Sequence, residues 1–197
     1  CEKLLDLGAM PIALSDSGGF VHDPDGIDGE KLAFVKELKN ERRGRISEYA
    51  EKFPSATYTE RDTSVDTHPI WEVPADCAFP SATQNEILEA DARNLVEGGV
   101  KLVAEGANMP STPEAIDHFI GHDVLFGPGK AANAGGVAVS ALEMAQNSQR
   151  QGWERGEVDR RLRDIMRSIH EQAADAATSY GHEGNYVLGA NVAGFEK

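Results

Sequence analysis

The sequence predicts an α/β fold: a Rossmann-like, doubly wound and mainly parallel sheet with flanking helices, followed by long helices toward the carboxyl end. Three observations predict it. Short apolar runs alternate with helical patterns of roughly 10 to 15 residues, the order that parallel strands with helical crossovers require. Stretches rich in Gly, Ala, Ser, Thr and Asn follow these runs at residues 15–19, 80–85, 105–110 and 127–133. Open α/β sheets bind ligands at such places, beyond the carboxyl ends of their strands. The composition, 40% hydrophobic and 26% charged over 197 residues, suffices for one sizeable core and excludes a disordered chain.

Residues 1–8 read as the last turns of a helix closed by Gly8, and residues 10–14 as a strand. Residues 15–26, dense in Ser, Asp, Pro and Gly, read as a loop or a hairpin on the sheet edge. Asp28-Gly29-Glu30 opens a long amphipathic helix. Its apolar positions are Leu32, Val35 and Leu38, then Ile46, Tyr49 and Phe53 after a break near Gly44. Residues 60–72 are polar connector. Residues 74–79 read as a strand, 86–97 as a helix stopped by Gly98-Gly99, 100–104 as a strand, 113–120 as a short helix and 124–126 as a strand. Residues 157–180 form a long helix with Val158, Leu162, Ile165, Ile169 and Ala173 on one face. Residues 185–197 carry a helix-like pattern that stops without a cap. With no repeat and no linker, residues 1–197 read as one domain.

The most unusual stretch follows the Pro128-Gly129 turn, where a run almost free of side chains leads into a helix carrying Gly135-Gly136. Each glycine in a helix interior costs about 1 kcal/mol relative to Ala. Close approach of a ligand or another backbone, or a helix start facing a polar group, would offset that cost. Asn133, Val137, Ser140 and Met144 share one helical face there, as one wall of a small-molecule site would.

The net charge of −14 makes nucleic acid and anionic membranes poor partners, so an anionic ligand needs a local basic pocket. The six histidines predict no metal site. Cys1 and Cys77 make no disulfide framework, and no apolar run approaches the roughly 18 residues of a membrane span. Together these predict a reducing, soluble compartment, the cytoplasm by default.

At the first strand exit, the Asp16 carboxylate suits the ribose hydroxyls of NAD, whereas a 2′-phosphate would need compensating cations. Lys39 and Arg45 are either those cations or ordinary solvated charges. Asn108 and Asn133 offer amides suited to a nicotinamide ribose, or else merely close turns. Lys130 reads as a turn lysine. An acidic residue lies about 20 positions beyond a dinucleotide-binding glycine fingerprint, which puts the fingerprint and first strand a few positions before Cys1. The chain therefore reads as a piece of a longer polypeptide.

The segments Ala104-Glu105-Gly106-Ala107-Asn108-Met109-Pro110 and Pro128-Gly129-Lys130-Ala131-Ala132-Asn133-Ala134-Gly135-Gly136-Val137 closely resemble hexameric, microbial-type glutamate dehydrogenases. So do Ser15-Asp16-Ser17, Ala82-Thr83-Gln84-Asn85 and Leu142-Glu143-Met144-Ala145-Gln146-Asn147. The resemblance implies the truncated cofactor-binding domain of an NADP-dependent enzyme that interconverts glutamate with 2-oxoglutarate and ammonium, NAD being the lesser choice. It implies that Ser15, Asp16, Lys39 and Arg45 meet the adenosine end, that Thr83 and Gln84 line the cofactor groove, and that Asn108 and Asn133 meet the nicotinamide ribose. It also implies that Val137 and Ser140 face the substrate side chain, with the Ser140 hydroxyl toward the distal carboxylate. The family's catalytic lysine and aspartate fall outside these residues, so no catalytic residue is expected here and the piece alone should not turn over. A homohexamer in the full protein is likewise implied. The alternatives are a leucine, phenylalanine or valine dehydrogenase of the same superfamily, or a non-catalytic nucleotide-binding module.

Overall fold

Two glycine-containing turns and one acid cap shape the first part of the chain. A computed structural model describes residues 1–196 and divides the chain into two compact units, Cys1–Ala75 and Asp76–Lys197. In the first unit, a short helix α1 (Glu2–Asp6) precedes strands β1 (Ala13–Asp16) and β2 (Gly19–His22), joined by the tight turn Ser17-Gly18. Strand β3 (Thr57–Glu60) pairs with β2, giving a three-stranded sheet in the order β1-β2-β3. Both pairings are antiparallel, with Asp16 opposite Gly19 and Gly19 opposite Glu60. The expected hairpin is therefore present, but this sheet is not part of a parallel array. A two-residue connection cannot make the long crossover that parallel strands need. The strand expected over 10–14 runs three residues later, and the expected connector over 60–72 begins on the last residue of β3 and contains a 3-10 turn, Pro69–Glu72.

Helix α2 (Gly29–Lys36) starts where expected, because the Asp28 side chain accepts the Lys31 N–H at 2.9 Å. It runs into a single π-helical turn, Glu37–Glu41, and helix α3 (Ser47–Lys52) follows. The break at Gly44 has a steric reason, since a Cβ there would run into the Leu38 and Glu48 side chains. Val21, Ile27, Leu32, Ile46 and Tyr49 form the core of this unit.

Inside that core lies a charge. Asp23 is fully buried, and its Oδ2 accepts from Lys31 Nζ and from Tyr49 Oη, both at 2.7 Å. Burial pushes this carboxyl up, but hydrogen bonds from Lys31, Tyr49 and Ser55, with the Lys31 charge, outweigh it and hold it below the ordinary carboxylate range. The same arrangement, with burial first, pushes the Tyr49 phenol up.

The second unit holds the parallel sheet. Strands β4 (Cys77–Ala78), β5 (Leu102–Ala104) and β6 (Leu125–Gly127) pair in that order, with Ala78 opposite Val103 and Ala104 opposite Gly127. Helices α4 (Glu89–Glu97) and α5 (Pro113–Gly121) make the two crossovers. Pro113 and the Thr112 cap, which accepts the Ala115 N–H, start α5. Phe119 of α5 stacks on Phe126 of β6 with ring centroids 5.7 Å apart. The Gly-rich stretch forms a one-turn helix α6 (Gly129–Ala132) and then α7 (Gly135–Ser148), followed by α8 (Arg155–Ser179) and α9 (Tyr186–Phe195). Lys197, the last residue of the expected terminal helix, lies outside the described residues. Of the face expected to pack on α8, Ala173 is buried, while Leu162, Ile165 and Ile169 are half-buried. Gly189 of α9 sits so close to the Ala173 carbonyl of α8 that no side chain fits. Among the described residues no helix is long and apolar enough to cross a membrane.

Replacing Asp23 by Asn would leave Lys31 and Tyr49 with a neutral partner in a buried setting, and is expected to destabilise the protein by about 3 kcal/mol. Because the native carboxyl is depressed, its contribution is full above the unfolded value of about 3.9 and is lost as pH falls through the native value. Urea denaturation of both proteins at neutral and acid pH checks this: the gap between them should close in acid.

Candidate functional site

The carboxyl ends of the parallel strands are bound into one structure by the main chain. Pro80, just after β4, accepts from the Gly106 N–H at 2.9 Å and the Ala107 N–H at 3.2 Å. The Asn85 N–H donates to the Met109 carbonyl, and the Glu105 N–H to the Gly127 carbonyl, each at 3.0 Å. Three of the four expected exits are thus in register, as the ligand-binding rule for such sheets requires.

At their centre stands Glu105, only 4% exposed. Its Oε1 accepts the Ser111 N–H at 3.1 Å and its Oε2 accepts the Gly129 N–H at 2.6 Å. Gly129 must be glycine here, since a Cβ would lie 2.8 Å from the Ala107 carbonyl oxygen. One turn later, Asn133 Nδ2 donates to the Ala107 carbonyl at 3.0 Å and to Asn108 Oδ1 at 2.8 Å. The two expected amides are therefore brought together. This pairing uses Asn133 Nδ2 and Asn108 Oδ1 and does not involve Asn133 Oδ1 or Asn108 Nδ2.

The first unit carries a separate cluster. Asp16, at the end of β1, uses both oxygens: Oδ1 accepts the Gly18 N–H at 2.8 Å, while Oδ2 accepts Lys39 Nζ at 2.8 Å and the Ile46 N–H at 2.9 Å. Lys39 also donates to the Gly44 carbonyl. Burial pushes the Asp16 carboxyl up, but the hydrogen bonds from Lys39, Ile46 and Gly18, with the Lys39 charge, outweigh it and hold the group low. Arg45 is exposed and its Nη1 donates to Ser17 Oγ at 2.7 Å, a neutral partner that leaves the guanidinium charge uncancelled. Ser15 points outward from β1. So Lys39 is not a solvated bystander, and Asp16 is not a free carboxylate.

Thr83 and Gln84 are exposed on the loop after β4. Val137 is 76% exposed on α7, and the nearby Ser140 hydroxyl donates to the Gly136 carbonyl at 3.3 Å. The glycine pair of α7 lacks the close approach expected of it. A Cβ on Gly135 would make ordinary contact with Leu162 and Met166 at 3.5 Å, and one on Gly136 would meet open space. In this unit the glycines that a neighbouring backbone carbonyl requires are Gly129 and Gly189. Lys130 donates to Asn191, consistent with a structural lysine. A surface cavity of about 310 Å³ lies at the start of β6, lined by Asp123, Leu125, His182 and Tyr186 among others, and holds none of the expected site residues.

The expectation of no metal site rested on the absence of any His-x-x-x-His spacing, and that was wrong: His118 and His122 make one. Their rings are 4.2 Å apart, and His122 Nδ1 is 2.8 Å from the His118 carbonyl oxygen. Among the described residues no group of three or more metal-ligating side chains comes together. Glu105 and Ser17 were not singled out from sequence. The available signal for Glu105 was a lone carboxylate in an exit otherwise made of small and amide residues.

The family model for glutamate/leucine/phenylalanine/valine dehydrogenases matches residues 1–197. An NAD(P)-specific glutamate dehydrogenase from Xylanibacter ruminicola is 55% identical over 196 residues, covering 100% of this chain and 43% of the relative. An NADP-specific glutamate dehydrogenase from Giardia intestinalis is 52% identical over 197 residues, with the same coverage. The solved structure of Plasmodium falciparum glutamate dehydrogenase superposes with a TM-score of 0.91 at 43% identity, covering 99% of this chain and 41% of that one. The chain thus spans less than half the length of these relatives.

Removing the ammonium with Lys39→Met should raise the Asp16 carboxyl above its native value, because its burial stays while a leading opposing interaction goes. Carbon NMR of the carboxyl during a pH titration measures this. A group that still titrates low would show that the Ile46 and Gly18 N–H groups suffice.

Proposed function

The chain belongs to the glutamate/leucine/phenylalanine/valine dehydrogenase family, and on that premise we propose that it is the cofactor-binding part of an NADP-linked glutamate dehydrogenase. The whole enzyme interconverts L-glutamate with 2-oxoglutarate and ammonium, as a homohexamer in the cytoplasm. The observation that carries the cofactor choice is the 2.8 Å pair between Asp16 and Lys39. A carboxylate already holding three donors has little capacity left for a ribose hydroxyl, and its charge no longer repels a phosphate. Lys39 and Arg45 outnumber it, so this spot is locally positive on a chain of net charge −14.

Lys39 and Arg45 hold the 2′-phosphate, with Ser15 beside them, and Thr83 and Gln84 line the groove. Asn108 and Asn133 hold the nicotinamide ribose through the amide groups they leave unused on each other. When bound, NADP supplies a hydride acceptor for the α-carbon of the amino acid. This chain contributes orientation, which is worth rate by holding the reacting atoms in line. Val137 and Ser140 form one wall for the substrate side chain, and the proton transfers belong to residues beyond this chain. Ser140 favours glutamate over leucine, phenylalanine or valine, because its hydroxyl has a use only against a polar side chain. Its long bond to the Gly136 carbonyl leaves it free to turn.

In the complete enzyme, Lys39→Ala should raise the KM for NADP about tenfold or more while leaving or improving that for NAD, since the freed Asp16 can then accept from a ribose. Equal losses for both cofactors would overturn the assignment. Ser140→Ala should raise the KM for glutamate about tenfold, the loss of one hydrogen bond to a charged group, with the cofactor KM unmoved.

A further inference from the structure

We propose that Glu105 is a positioning residue for the nicotinamide end of the cofactor: its buried carboxylate clasps the exits of β5 and β6 and thereby fixes Asn108 and Asn133 in one geometry. This rests on the cofactor reading above. Taking a carboxylate out of water is costly, and apolar contacts would join two loops as stably. What a carboxylate adds is geometry. Its two oxygens are a fixed distance apart and each holds one main-chain N–H, Ser111 at 3.1 Å and Gly129 at 2.6 Å. Among the described ion pairs none includes Glu105, so these N–H dipoles carry its charge.

Both exits lead directly to the amides. Asn108 lies three residues after Glu105 on the β5 exit. Asn133 begins one helical turn after Gly129, its N–H donating to the Gly129 carbonyl at 2.9 Å. The loops therefore meet through two clasps, Glu105 to Gly129 and Asn133 to Ala107 and Asn108. The second uses the residues that touch the ligand and cannot also be the rigid reference for them. Glu105 supplies that reference from behind, without touching the cofactor.

The test uses the complete enzyme and two probes, NADP+ and adenosine 2′,5′-bisphosphate, which has the phosphate-bearing end and lacks the nicotinamide half. In Glu105→Ala, kcat should fall about 10- to 100-fold, the scale of a misplacement near 1 Å. NADP+ affinity should weaken, and bisphosphate affinity should stay unchanged. Glu105→Gln, which keeps one acceptor oxygen, should lie between this and wild type. Gly129→Ala keeps the carboxylate but forces the Ala107 carbonyl away, and should reproduce the same selective loss even if Glu105→Ala fails to fold. Hydrogen exchange at the Gly129 and Ser111 amides should rise in the Glu105 variants, with β5 and β6 still protected. Equal losses for both probes, or no loss for either, would overturn the proposal. A wild-type enzyme that binds neither probe would instead overturn the cofactor reading on which it stands.

Discussion

A carboxylate removed from water must fill its oxygens with donors, and that requirement organises both units of this chain. Asp23 gathers Lys31 and Tyr49 at the centre of the first unit. Asp16 draws Lys39, Gly18 and Ile46 to the end of β1, which fixes the path of the chain from the π-helical turn into α3. In the second unit Asp91 accepts the Leu88 N–H at the start of α4, and Glu105 joins two strand exits. Asp16, Asp23 and Glu105 each hold a group more than twenty residues away in the sequence, while Asp91 closes a local cap. Hydrophobic burial supplies the larger share of stability, but it is non-directional. These carboxylates supply direction.

The parallel half of the fold was legible because its signals are local. Gly98-Gly99, Pro113 and the apolar runs around 102 and 125 each punctuate the chain without reference to anything far away. The antiparallel half was harder. Thr57-Tyr58-Thr59-Glu60 is a strand only because it meets β2, and a polar edge strand carries little periodicity of its own. The site shows the same division. That Asp16, Asn108 and Asn133 stand at strand ends could be read from position, and the resemblance supplied the roles. That Lys39 lands on Asp16 could not, since an α-helical count from α2 loses its phase across the π-helical turn Glu37–Glu41. The cost of Gly135-Gly136 was visible in the sequence, but a steric reason is visible only in three dimensions, and it belongs to Gly129.

The two clusters, one in each unit, differ in chemistry. The first is ionic, a carboxylate held by an ammonium and two N–H groups; the second is neutral, one amide donating to another. A change at one should therefore leave the other's property intact, since the residues share no partner.

Helix α7 has a consequence of a different kind. None of its fourteen residues is buried, and Val137 and Met144 are 76% and 70% exposed. A helix of that length is marginal on its own in water, and the two glycines at its start weaken it further. Its order is therefore the least secured of the long helices, and anything that covers its outer face raises its local stability by mass action.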